Sequence, residues 1–414
     1  MVHPGAETKG MTGPVVVSRA RDRLATAPAW HTSLLLFLLF LVVYLITMGR
    51  TPDQSNADAV SASLQAWRFA LFGDLDLSQF HPELPQLLEV GDRIMSNRVP
   101  GIAYLAVPAY WLFGSSEFSG LVPSMTPAAA TAATFSAGAV AVVHLLIRRV
   151  TAAPGALAAA CVFGLATSTW SISSGELWPH GPGQFFLALA LLGMAHAQWA
   201  AAGLAYACAL LIRPVTGIIA AVTGLVIGAR TRSWRPVVLT AAGSAVGVGL
   251  LLLYNGLVLK SWSLAPAIYG QAFIDRARSQ SLLGYLGDIL GSLFVPEYGL
   301  LIFSPFLLFT IPGLRRAWTG AETWVKAGGL AALAYMLIHL RLNRYWGGYS
   351  FNYRYPLEPL TVAAPLLYLS WQAWFDVASA LWKRMFWYSV ILSVFAQMLS
   401  LYVETTPRGL NPWL

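Results

Sequence analysis

Thr32–Gly49 reads TSLLLFLLFLVVYLITMG and contains no charged residue. A run of this length and character matches the ~20 apolar residues that a helix needs to cross a bilayer. It is longer than the hydrophobic region of a secretory signal, and no small-residue cleavage pattern follows it. Residues 1–31 before it are polar and carry Lys9, Arg19, Arg21 and Arg23. Together the two pieces read as a signal anchor with a basic tail in the cytoplasm.

The rest of the chain repeats the theme. Of its 414 residues 57% are hydrophobic and 11% charged, more apolar surface than a soluble interior of this size can hold. Further apolar segments fall at about 127–147, 153–171, 183–198, 200–212, 214–229, 236–257, 298–314, 325–340, 357–374 and 385–403. Basic loops separate some of them: Arg148/Arg149, then Arg230, Arg232 and Arg235, then Arg315, Arg316 and Lys326, then Lys383/Arg384. With the amino terminus inside and eleven crossings, every one of these loops is cytoplasmic. The net charge of +8 then reports topology. Scattered over short loops, it makes no nucleic-acid surface.

One piece, RVPGIAYLAVPAYWLFG (98–114), is settled by the same parity. If it crossed, Arg148/Arg149 and most later basic loops would move outside. It is short, bounded by Pro100 and interrupted by Pro108, so it reads as a helix lying in or dipping into the outer interface. The expected fold is an all-α polytopic membrane protein of about eleven transmembrane helices, with interfacial helices in its first external loop. Its divisions are a cytoplasmic tail (1–31), a transmembrane domain (32–404) with a first external loop at 50–126, and an external tail (405–414). Shorter external loops fall near 172–182, 258–297 and 341–356. Cys161 and Cys208 lie in apolar segments, and no CxxC motif, P-loop or GxGxxG after a strand occurs.

The first external loop holds Asp53, Asp58, Asp74, Asp76, Glu83, Glu89, Asp92 and Glu117, eight of the 18 acidic residues. Ser55 or Asn56 can cap a helix there. Val60, Leu64, Trp67 and Leu71 then make an apolar stripe, and Asp58, Ser61, Gln65 and Arg68 a polar one. Asp58 falls in the first turn, where the helix dipole favours negative charge. A carboxylate at the lipid–water boundary is suited to take a proton from a hydroxyl; a surface amphipathic helix with an ordinary N-terminal acid explains the same spacing.

Cations complete the pattern. Arg98 starts the interfacial helix, Arg213 in LLIRPVTG sits between two short apolar segments, and Arg354 in GGYSFNYRYPLEPL precedes the tenth crossing. An arginine at membrane depth usually faces a cavity or a partner, and guanidinium matches phosphate oxygens. Snorkelling of Arg213 and interfacial anchoring by Arg354 are the plainer readings. In SGELWPHGPGQ (174–184), Glu176 and His180 lack a second histidine nearby, so hydrogen bonding at a cavity mouth suits them better than a metal. Trp178, Tyr345, Trp346 and Tyr349 are candidates to stack on a sugar ring or to form an interfacial belt. Tyr269, Asp275, Arg276 and Arg278 take no role from sequence.

These pieces, in order, resemble the GT-C superfamily of membrane glycosyltransferases that use polyprenyl-phosphate sugars, nearest the branch of protein O-mannosyltransferases and the lipid A aminoarabinose transferase. The likeness covers most of the chain after residue 32. It includes an acid after the first crossing, GDLDL, NRVPG, LFGSSEFSGLVPSM leading to LIRR, GELWPHGPG, LLIRPVTG, PEYGLLIFSPFLL and WGGYSFNYRYPLEPL. The resemblance implies an outer-leaflet cavity that a polyprenyl-phosphate sugar enters from the bilayer and an acceptor from outside. It implies Asp58 as catalytic acid, Arg98 as a cation on the donor phosphate, and Arg213 and Arg354 as cations near it; Glu176, His180 and Tyr349, read from the residues themselves, are the candidate substrate contacts. The family's usual second acid beside the first is missing: Ala59 follows Asp58. That leaves Asp53 as a rival base and gives a divalent cation no acidic pair, so no cofactor or metal site is assigned.

The expected activity is inverting transfer of the sugar to a hydroxyl of an extracytoplasmic glycolipid, polysaccharide or protein, at the plasma membrane. A transporter or flippase of a lipid-linked or small polar substrate shares the apolar segments. It would favour paired interrupted segments with ionisable groups at the midplane, whereas these acids gather in one external loop.

Overall fold

The computed structural model describes residues 28–49, 56–80, 84, 86–118, 120–266, 270–346 and 351–405. Its first helix, α1 (Ala29–Thr47), buries one edge at Ser33, Leu36, Phe40 and Tyr44 and leaves Leu34, Leu35, Leu38 and Ile46 exposed. An apolar helix with so much of its surface uncovered is built to face lipid.

Helix α2 (Ala57–Phe72) starts behind Asn56, whose side chain accepts from the Asp58 amide, and ends at Gly73, whose left-handed φ of 74° ends the helix. Its apolar stripe is buried as expected at Val60, Leu64 and Trp67, but Ser61 and Gln65 are buried too. The polar face does not lie in water. Ser61 bonds Ser96 and the Gln86 carbonyl, and Gln65 donates to Tyr254. The cover for that face includes a hairpin that the all-α expectation lacks: β1 (Leu87–Val90) pairs antiparallel with β2 (Arg93–Ser96). A two-residue turn joins them at Gly91, whose φ is 67°. Helix α3 (Pro100–Phe113) has 14 residues, about 21 Å at 1.5 Å per residue, too short for a ~30 Å hydrocarbon core. It packs on α2 through Ile102, Ala103, Ala106 and Tyr110 and exposes Trp111, Leu112 and Phe113 at its end.

The bundle continues with α4 (Thr126–Arg148), α5 (Ala153–Leu165), α6 (His180–Ala195), α7 (Trp199–Ile212), α8 (Gly217–Thr231) and α9 (Arg235–Leu257). Helix α4 is the inner one, and its Ala, Gly and Ser residues let α1 and α6 approach closely. The α7–α9 crossing shows the same device. A Cβ on Gly243 would lie 2.5 Å from the Gly203 carbonyl carbon, and one on Gly247 2.6 Å from the Ala207 carbonyl oxygen. Helices α6 and α7, with 16 and 14 residues, are short for a bilayer, and α7 stops at Arg213–Pro214, where proline cannot continue its hydrogen bonding.

After α9 the 258–297 segment is not simply a loop, for it carries α10 (Gln271–Ser279) and α11 (Leu282–Phe294). The 298–314 segment is not one crossing helix. It breaks into α12 (Leu300–Phe303), a 3₁₀ turn at Pro305–Thr310 and α13 (Leu314–Gly320), because Pro305 and Pro312 remove backbone donors. Then follow α14 (Thr323–Leu342), α15 (Leu357–Phe375) and α16 (Ala380–Thr405). Among the described residues six stretches are long and apolar enough to cross a membrane: α1, α4, Pro214–Thr231, α9, α14 and most of α16.

Helix ends sort into two sets. Arg149 at the close of α4 donates to Ala195 at the close of α6, and Thr151 before α5 bonds Tyr368 on the last turns of α15. At the opposite end Gly49 after α1 donates to the Gly175 carbonyl. There the starts of α6 and α15 meet the ends of α7 and α14 through His180, Glu358, Arg213 and His339. One end is thus basic, and the other gathers the candidate site.

Candidate active site

Asp58 is presented by the first turn of α2. The Asn56 cap that orders this turn is itself fixed from α6's side of the chain, since its amide donates to Glu176 Oε2 at 2.5 Å. Arg98 reaches Asp58 from the head of α3, Nη1 to Oδ1 at 3.0 Å, and both side chains stay about a quarter exposed. The hairpin orients this arginine: Nε donates to Asn97 Oδ1 and Nη2 to Gln86 Oε1, and Asn97 Nδ2 holds the same Gln86 oxygen. Burial pulls the Arg98 pKa down and the Asp58 charge opposes that pull; a guanidinium stays protonated regardless. Gly101 lets this end of α3 sit on the α7 backbone, where a Cβ would meet the Leu211 carbonyl at 2.5 Å.

Arg354 approaches the other carboxylate oxygen, Nη1 to Asp58 Oδ2 at 3.9 Å. Its guanidinium carbon lies 4.4 Å from the Trp178 ring centre and 5.3 Å from that of Tyr355, a stacked geometry that suits arginine. The segment bearing it is pinned by Asn352, which takes a φ of 87°. The Asn352 side-chain nitrogen lies within hydrogen-bond distance of Ser171, Gln397 and Ser400, three acceptors for its two N–H groups, and its oxygen accepts from Ser168 and the Tyr353 amide. Every hydrogen-bonding group of that buried side chain is used.

Behind these lies an inner charge cluster. Arg213 also sits 5.3 Å from the Tyr355 ring centre, so one tyrosine separates two arginines. Arg213 Nη1 donates to Glu358 Oε1 at 2.8 Å, and His180 Nδ1 lies 2.9 Å from the same oxygen. Nη2 donates to His339 Nε2 at 3.3 Å, which puts the His339 proton on Nδ1. Glu358 is fully buried, and His180 and His339 nearly so.

Four sequence candidates therefore share one neighbourhood: Asp58, Arg98 and Arg354 in contact, with Arg213 a ring's width behind. Glu176 supports the Asn56 cap, and His180 faces Glu358 within the protein. Asp53, Tyr349 and Tyr269 lie outside the described residues. Trp178 offers no stacking face to a sugar, since it is 2% exposed and Arg354 covers its ring. Arg276 is bound to Asp288, which also accepts from Gln280. In the first loop Arg68 grips Asp74 and holds that carboxyl below the usual range, and Ser78 does the same for Asp76. Sequence reasoning passed over Glu358, His339 and Tyr355. The available signal was Glu358 itself, an acid in the YPLEPL run at the start of an apolar segment. Among the described residues no group of three or more His, Cys, Asp or Glu is arranged to hold a metal ion.

Fold and site together define a helical, multi-pass membrane protein with an acid–arginine centre at one end of its bundle. Among solved structures it is similar to the Archaeoglobus fulgidus oligosaccharyltransferase in its apo form, at 14% identity and a TM-score of 0.50, over 90% of this chain and 55% of that one. It is also similar to the oligosaccharyltransferase AglB from Archaeoglobus fulgidus in complex with an inhibitory peptide and a dolichol-phosphate, at 12% identity and a TM-score of 0.48, over 92% and 56%. The chain spans little more than half the length of these neighbours. At such identity the apo-form likeness is one of fold alone. No protein-family model and no curated protein matches the chain.

Proposed function

We propose that this protein is an inverting glycosyltransferase that moves a sugar from a polyprenyl-phosphate donor to a hydroxyl of an extracytoplasmic acceptor. One observation carries the reading: Asp58 stands between Arg98 and Arg354, one guanidinium on each carboxylate oxygen. The GT-C-like fold supports it, as does the sorting of helix ends into a basic set and a set that gathers the site; we read this as eleven crossings with a basic cytoplasmic face. In that topology the site lies on the outer side of the plasma membrane, within the cell-envelope compartment, with 1–31 inside and 405–414 outside.

Asp58 takes the proton as the acceptor oxygen attacks the anomeric carbon. The bond from that carbon to the phosphate oxygen breaks on the opposite face, and the lipid phosphate leaves with the electron pair. A glycosidase needs a second carboxylic acid to protonate an alkoxide. A phosphate leaves as a stable anion, so cations aimed at it suffice. Two guanidiniums flank the carboxylate, and a phosphodiester is an anion that both can turn to. As the phosphate draws the arginines, Asp58 is freed to act as base.

The test is incubation of purified protein with radiolabelled polyprenyl-phosphate sugars and membrane extract. Asp58→Asn is expected to lower transfer by about 10²–10⁴, the usual worth of a general base, without unfolding. Near-normal turnover in that variant would remove the assignment, and no donor consumed by the wild type would favour transport instead.

A further inference from the structure

Among the described residues two N–H groups at this site have no acceptor. Trp178 is 2% exposed, yet its indole Nε1–H is unpaired, and the Nε–H of Arg354, stacked on the same ring, is unpaired as well. Leaving a buried donor unsatisfied costs about 1–3 kcal/mol, so a pair of them in neighbouring side chains marks a place that expects an acceptor. Indole can only donate, which makes the ligand atom an acceptor. The carboxylate of Asp58 is already spoken for by the Nη1 atoms of Arg98 and Arg354. The unpaired Nε–H belongs to a guanidinium, which favours an anionic oxygen over a neutral hydroxyl.

We infer that the Trp178 indole N–H and the Arg354 Nε–H together bind an anionic phosphate oxygen, making Trp178 a phosphate-binding residue. The inference rests on the reading that a phosphate ester sits beside Arg354, and it gives the tryptophan a different task from sugar stacking. The ring face carries the arginine and the ring edge carries the ligand.

The experiment uses the full chain in nanodiscs, with binding of farnesyl phosphate, farnesol and inorganic phosphate followed by thermophoresis. Trp178→Phe keeps a ring under Arg354 and removes only the N–H. It is expected to weaken farnesyl phosphate about tenfold, the worth of one hydrogen bond to a charged group, with farnesol binding and melting temperature unchanged. Trp178→Leu removes the ring also and is expected to lose more. Farnesyl phosphate binding tighter than inorganic phosphate assigns the pocket to a lipid headgroup, and equal binding assigns it to the free anion. Trp178→Phe binding farnesyl phosphate like wild type, or wild type binding neither phosphate compound, overturns the inference. The two readings fail separately: unchanged Trp178→Phe binding leaves sugar transfer standing, whereas a tenfold loss with no sugar donor consumed leaves the phosphate pocket standing.

Discussion

Arg213 would be costly to bury alone, and Glu358 removes that cost. A guanidinium stripped of water needs a close counter-ion and filled donors, and it has Glu358 at 2.8 Å with His339 on its second nitrogen. Glu358→Ala is therefore expected to lower stability by about 3–5 kcal/mol, the usual penalty for stranding one partner of a buried pair. Glu358→Gln, which keeps an oxygen acceptor in place, should fall between it and wild type. Melting curves in one detergent would show the order; Glu358→Ala melting with wild type would mean that Arg213 finds another partner. The two residues also mark the reach of sequence reading. Arg213 is legible because Pro214 breaks a helix beside it, a local signal. Glu358, 145 positions away, becomes its partner only through the packing of α6, α7, α14 and α15. Likewise Asp58 stands out by its place behind a cap, whereas its contact with Arg98 depends on a hairpin that hydropathy does not reveal.

At the scale of elements, hydropathy finds the long helices because lipid rewards continuous apolar runs, and α4, α9 and α14 begin and end close to the expected limits. It misreads 298–314, since a composition average does not register what Pro305 and Pro312 do to hydrogen bonding. It also misses β1 and β2, each of four residues, too brief to show a convincing alternation. The α7–α9 seam gives a test of packing. Gly247→Val places a branched side chain against the Ala207 backbone and is expected to cost about 1–3 kcal/mol through overpacking. Gly249→Ala, two positions along the same helix with nothing within 4 Å, is the control and should melt with wild type. Equal melting of both variants would show that the helices are not held this closely.

For the whole molecule, the separation of a basic end from a site end fixes an orientation that labelling can check. In a Cys161→Ala, Cys208→Ala background, Ser279→Cys and Ser379→Cys each place a thiol at an exposed position, the first near the site end and the second at the basic end. A membrane-impermeant maleimide added to intact cells should modify only the Ser279 variant; the reverse pattern would turn the protein over and move the site to the cytoplasm. The unequal lengths of the helices have a further consequence. If α6 and α7 both cross, with 16 and 14 residues, they span only about 24 and 21 Å. The bilayer beside them must then dimple to meet them. A headgroup drawn down into that depression already rides low in its leaflet, so the lipid-borne substrate proposed above would have less distance to climb out of the membrane before reaching the arginines.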